Sequence, residues 1–113
     1  MLNKKNRLRL DKDFDNAFKQ GQSFYNDVFG LKLAKNNLNE FRLGVLVGLK
    51  VSKRAIRRNR IKRQIREIVR LETPKLKTGY DLVVITLPKI VDKDFPEIKS
   101  LLLEGLKKLE LYK

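Results

Sequence analysis

The chain predicts an α+β domain, three helices and three strands in the order α-β-β-α-β-α, and three observations carry that prediction. Apolar residues recur at helical spacing in three segments. In three others they alternate or run unbroken over strand-like lengths. Clusters of turn-forming residues separate the segments, with no internal repeat, low-complexity tract or linker, so residues 1–113 predict a single domain.

After a basic arm (Lys4, Lys5, Arg7, Arg9), Asp11 to Gln20 predicts a short helix. Asp11 suits the N-cap, Asp13 and Asp15 favour the positive end of the helix dipole, and Gly21 supplies the stop. Phe14, Ala17 and Phe18 then share a face. Residues 24–34 predict a strand with Phe29, Leu31 and Leu33 on one face and Val28, Gly30 and Lys32 on the other. Residues 41–49 predict a second, with Leu43, Val45, Val47 and Leu49 opposite Gly44, Leu46 and Gly48. The turn-rich KNNLNE between them predicts an antiparallel hairpin. The large-aliphatic face must be covered, by the second and third helices. The small and polar face can stay wet, leaving a groove edged by Phe14 and Phe18 where the first helix crosses only part of it.

A long helix follows from about Arg54 to Glu72, closed by Thr73-Pro74. Asp81–Leu87 predicts a third strand, apolar nearly throughout and ended by Pro88. The last helix opens at Asp94, with Glu97 three residues on as its capping-box partner, and continues through Ile98, Leu101, Leu102, Leu106 and Leu109.

Charge sets the function class. The 27 Lys and Arg against 13 Asp and Glu give a net charge of +14 and a pI of about 10.3. Self-repulsion of that size in a small domain points to a polyanionic partner. Nucleic acid comes first and an anionic membrane second. With no cysteine there is neither a disulfide framework nor a Cys-based zinc site, which fits a reducing cytosol. No apolar run suits a signal peptide or a span of about 18–20 residues, so a soluble, cytoplasmic protein is expected. His and Cys are both absent, which removes the commonest acid–base and nucleophilic arrangements. The one carboxylate cluster, Asp11, Asp13 and Asp15, has a spacing that points side chains apart on a helix and reads as capping chemistry. No catalytic and no metal-ligating residue is expected.

The charge is concentrated in Lys53–Arg70, where nine of eighteen residues are Lys or Arg and Glu67 is the single acid. A merely basic run would be a solvated tail. This one has an apolar stripe of Ile61, Ile65, Ile68 and Val69, and on a wheel of about 100° per residue Asn59, Arg63, Arg66 and Arg70 lie opposite, flanked by Lys62. A solvated helix face would alternate signs. A membrane-surface helix would carry aromatics on its apolar side, and here that side is committed to the core.

Within RRNRIKRQIRE the chain resembles the protein subunit of bacterial ribonuclease P. Ala55, Arg58, Asn59, Arg60, Lys62, Arg63, Arg66 and Glu67 match the family's A-x-x-R-N-R-x-K-R-x-x-R-E helix. Asn6-Arg7-Leu8, Asp13-Phe14 and Phe18-Lys19 look like its opening, Arg42-Leu43-Gly44 like its second strand, and Gly79-Tyr80-Asp81 with Val83-Val84-Ile85 like its third. The chain departs from the pattern at Leu46, Gly48, Leu49 and Lys50, where a hydroxyl residue and a Lys-Lys pair are usual, and at Lys32, where an aromatic is common.

The resemblance implies an α/β sandwich with a central mixed sheet. It also implies a left-handed crossover through the basic helix, as in the second domain of a small-subunit ribosomal protein, although parallel crossovers are right-handed in roughly 98% of cases. It implies that an RNA subunit holds the catalytic centre and its Mg²⁺, while the protein binds that RNA and the 5′ leader of precursor tRNA. No protein partner and no membrane is expected. Carried onto this sequence, the RNA-subunit surface is Lys53, Arg54, Arg58, Asn59, Arg60, Lys62, Arg63, Arg66 and Arg70. Asn59 serves either the RNA or a neighbouring loop, and Arg58 points either at the surface or into the cleft. The leader cleft is Phe14, Phe18, Lys32, Gly44, Leu46 and Gly48, with the two aromatics able to pack on the sheet and still offer an edge to a base. The rival reading is a ribosomal or assembly protein that binds structured RNA with no part in tRNA processing. A DNA-binding regulator lacks visible helix-turn-helix spacing.

Overall fold

The computed structural model describes residues 2–19 and 21–113. Helix α1 (Asp11–Lys19) is followed by β1 (Gln22–Tyr25), β2 (Phe29–Lys35) and β3 (Arg42–Leu46). Then come α2 (Ala55–Glu72), β4 (Tyr80–Thr86) and α3 (Phe95–Lys108), with short 3-10 turns at Lys4–Asn6, Thr73–Lys75 and Pro88–Asp92.

All three predicted helices form. The first opens with Asp11 already inside it and Leu10 in the capping place, its carbonyl accepting from Asp13 and Phe14 nitrogens at 3.0 and 3.3 Å. Gln20, the last residue predicted for this helix, lies outside the described residues; Gly21 follows at φ +91°, a conformation that suits glycine. At the end of α2 the Thr73 hydroxyl donates to the Val69 carbonyl at 2.7 Å. In α3 Asp94 and Glu97 cap each other's backbone N–H at 3.0 and 3.2 Å, the capping box expected from sequence.

The strand predictions need three corrections. The segment 24–34 is two strands, because the Asn26 side-chain oxygen accepts from Val28 and Phe29 nitrogens at 2.8 Å each and folds the chain back on itself. The local hairpin is therefore β1 with β2, antiparallel with Tyr25 opposite Gly30. The predicted hairpin between 24–34 and 41–49 does not form. The sheet order is β1-β2-β4-β3, with β4 antiparallel to β2 and parallel to β3. The reason is burial: Leu82, Val83 and Val84 are fully buried on both faces, which a central strand alone provides. The second predicted strand also ends early, at Leu46, after which the Gly48 carbonyl accepts from Val51 and Ser52 and turns the chain toward α2.

One sheet face carries Phe29, Leu31, Leu33, Leu43, Val45, Leu82 and Val84, packed in the main core with Ile61, Ile65, Ile68 and Val69 of α2 and Ile98, Leu102 and Leu106 of α3. The other face carries a smaller cluster, Leu8, Ala17, Ala34 and Val83, with Phe14 and Ile85 packed against it. Helix α1 lies mainly across β2 and β4 there, with Phe14 reaching over Gly44 of β3. The C-terminus returns to α2, where the Tyr112 hydroxyl donates to Glu72 Oε1 at 2.7 Å.

Candidate nucleic-acid interface

The buried seam of α2 fixes which side chains face out. Lys53, Arg54, Asn59, Arg60 and Arg63 are exposed, and Arg58, Lys62, Arg66 and Arg70 are half-buried. Among the described residues, the side chains of Lys53, Arg54, Asn59, Arg60, Lys62, Arg63 and Arg66 have no hydrogen-bond or ion-pair partner within the chain. Two predicted contacts are already committed. Arg58 Nη1 donates to the Ser52 carbonyl at 2.9 Å, tying the first turn of α2 to the loop before it. Arg70 makes a paired bond to Glu67 at 2.6 and 3.0 Å, so the one acid of the Lys53–Arg70 run is used three residues from its partner. That bond holds the Glu67 carboxyl below its usual range.

Arg66 has a cationic neighbour. Burial first, and then the charge of Arg7, push its guanidinium below its ordinary pKa, from which it still stays charged. Arg7 is placed by backbone: residue 7 bridges Leu43 beside β3, and its Nε donates to the Leu2 carbonyl at 3.1 Å. Two cations brought together raise the local potential, which suits phosphate. Sequence reasoning did not place Arg7 at this surface, because the arm's docking along β3 is a long-range contact with no local signal.

On the opposite face of the sheet the strand register builds the cleft in rows. Tyr25, Gly30, Ile85 and Leu46 form one row; Ser23, Lys32, Val83 and Gly44 form the next. Phe18 is 41% exposed and Leu46 37%, so both present apolar surface to solvent. Lys32 Nζ donates to Ser23 Oγ at 2.9 Å and sits 5.2 Å from the centre of the Tyr25 ring. Gly48 lies past the end of β3 with open space around its α-carbon. Gly44 corrects the expectation of an open floor: it is buried under Phe14, whose ring atoms stand 2.5 and 2.6 Å from where a β-carbon would be.

Tyr25 is the cleft residue missing from the sequence reading. Its ring lies across Gly30 and is 59% exposed. An unbroken strand over 24–34 would give Tyr25 the same face as Phe29 and Leu31. The turn at Asn26 reverses that parity and puts it beside Lys32.

Helix α1, which carries Phe14 and Phe18, is pinned by a charge network. Arg42 makes a paired bond to Asp81 at 2.7 and 2.8 Å and reaches Asp13 at 3.3 Å, while Asn36 Nδ2 donates to Asp81 at 2.9 Å. The bond to Asp81 raises the Arg42 pKa. Asp13 therefore does more than favour a helix dipole; it ties α1 to the sheet. Among the described residues no three carboxylates gather as a metal-ligand group.

The arrangement offers a rigid cationic helix on one side and an aromatic, singly charged cleft on the other. The family model described as Ribonuclease P matches residues 2–110. The ribonuclease P protein component of Clostridium botulinum (strain Loch Maree / Type A3) is 43% identical over 110 residues, covering 96% of this chain and 98% of the relative. That of Thermotoga maritima is 40% identical over 111 residues, covering 95% and 94%. Among solved structures, a Staphylococcus aureus RNase P protein mutant with defective mRNA degradation activity superposes with a TM-score of 0.90 at 30% identity, covering 96% of this chain and 92% of that one. The RNase P protein of Thermotoga maritima superposes at 0.81 with 39% identity, covering 90% and 96%.

Proposed function

This chain belongs to the ribonuclease P protein family, and from that membership we propose how its two surfaces divide the work. The α2 face (Lys53, Arg54, Asn59, Arg60, Lys62, Arg63 and Arg66, joined by Arg7) grips the catalytic RNA subunit. The sheet cleft takes the 5′ leader of precursor tRNA. The protein is the non-catalytic component of the holoenzyme, and the RNA subunit with its Mg²⁺ performs the hydrolysis that frees the mature 5′ end.

The observation that carries this reading is the set of cations on a packed helix that have no partner among the described residues. Guanidinium groups suit phosphate because they present paired donors in a fixed plane. Holding them on α2 means that their backbone is already ordered when RNA arrives, leaving the side chains to be fixed. In the cleft, Phe18 and Tyr25 offer faces to bases and Lys32 a charge to a phosphate. Stacking tolerates any base, which fits leaders of differing sequence. No helix among the described residues is long and apolar enough to cross a membrane, and we place the protein in the cytoplasm with its RNA partners.

The test is reconstitution. Added to a ribonuclease P RNA at low Mg²⁺, the protein should stimulate precursor-tRNA cleavage. Absence of stimulation would move the ribosomal or assembly reading ahead.

A further inference from the structure

The outermost line of α2 carries an isoleucine where a helix facing water would carry charge. Ile56 is 83% exposed and lies in a groove of about 540 Å³ with Arg54, Ala55, Arg57 and Arg60. Isolated exposed aliphatics are ordinary on protein surfaces. Ile56 differs in its company. Its three guanidinium neighbours have no hydrogen-bond or ion-pair partner among the described residues, and no acid lines the groove. A second groove, of about 240 Å³, shares Arg57 and Arg60 and continues to Lys93 and the half-buried Phe95 at the start of α3. The acid there, Asp94, is engaged as the α3 cap, and Lys93 reaches Glu97 at 3.9 Å.

We infer that Ile56, Arg57 and Arg60 form a seat for one unpaired nucleotide of the RNA subunit, its base against Ile56 and its flanking phosphates on the two arginines. This rests on the reading that the RNA subunit docks on α2. A paired base hides its faces in the stack, so only an unstacked nucleotide can give an aliphatic side chain a base face to cover. The groove falls within the roughly 300–1,000 Å³ of small-ligand sites. Charge decides the occupant: a greasy partner surface would be repelled by nothing here but would leave three guanidinium groups desolvated and unpaired. A nucleotide satisfies both the apolar centre and the cationic rim. Ile56 and Arg57 occupy the two unspecified positions of the A-x-x-R-N-R signature, so the seat draws on residues the motif does not define.

The chain has no cysteine, so Ile56→Cys carrying a photoreactive group provides a single crosslinker in the reconstituted holoenzyme. The expected result is a crosslink at an unpaired position of the RNA subunit. In parallel, Ile56→Ser should weaken RNA-subunit binding by about fivefold to tenfold without altering its salt dependence. Arg57→Gln should lower the slope of log K against log salt by about 0.7–0.9. Crosslinks confined to paired regions or to the leader, or parental affinity in Ile56→Ser, would overturn the seat. Neutralising Arg63 and Arg66 separates the two levels. If that variant binds weakly while Ile56→Ser does not, the seat alone fails. If both bind as the parent does, docking through α2 fails.

Discussion

The ring of Phe14 occupies the space above Gly44, 2.5 Å from the position a β-carbon would take, so helix α1 rests on the sheet through a residue that has no side chain. The same contact decides how much of the cleft stays open. Phe14 closes the Gly44 end, and Phe18, one turn on, is left at the rim.

Gly44→Ala should push Phe14 outward and tilt α1. Overpacking of this kind costs about 1–3 kcal/mol, with the low end favoured because a half-buried ring can swing. Thermal unfolding reads the stability change. Affinity for precursor tRNA should fall while affinity for the RNA subunit holds, since α2 packs on the other face.

Phe18→Ala touches little of the core and should leave stability within about 1 kcal/mol. Loss of one stacking contact should weaken precursor-tRNA binding by about 1–3 kcal/mol. Mature tRNA, which has no leader, should bind the holoenzyme unchanged. Equal weakening of both would remove the leader role.

Arg42→Gln leaves Asp81, 2% exposed, without its paired guanidinium. Breaking a buried ion pair from one side costs about 3–5 kcal/mol, and the remaining Asn36 bond favours the low end. Replacing Asp81 by Asn in the same chain should recover part of the loss, because the buried charge disappears with its partner. Chemical denaturation of the single and double variants measures this coupling.

Neutralising Arg63 and Arg66 to Gln should weaken RNA-subunit binding and reduce its salt slope by about 1.4–1.8, the share of two phosphates. Stability should hold or rise slightly, because Arg66 loses its repulsion with Arg7. An unfolded variant would show that these charges serve the fold.

Tyr112 supplies the pH test. Burial first, then its bond to Glu72, raise the phenol above its ordinary value near 10. The folded chain therefore keeps this proton where the unfolded chain has lost it. The contribution is complete below the unfolded pKa, and stability falls as pH rises above about 10. In Tyr112→Phe that part of the alkaline decline should vanish. At neutral pH the variant should lose about 1–3 kcal/mol, since buried Glu72 forfeits a donor. Urea titrations at pH 8 and above pH 10 would compare the two.

The helices were legible in the sequence because their determinants are local: the seam of α2, the Asp94–Glu97 box and the Thr73-Pro74 stop all act within a few residues. The outward-facing cationic side of α2 was legible for the same reason, since a helix wheel converts spacing directly into direction. The family could be read from the same motif. Sheet order could not. Residues 24–34 and 41–49 are neighbours in sequence, yet burial on both faces puts β4 between β2 and β3. Two bonds to the Asn26 side chain reversed the parity of everything before it and moved Tyr25 into the cleft. Arg7 beside Arg66, Phe14 above Gly44 and Arg42 between Asp13 and Asp81 are likewise contacts across long stretches of chain. The sequence alone determined which elements form and that one of them is a cationic helix. Tertiary structure decided which side chains meet, because strand pairing is a competition for buried area that no local pattern records.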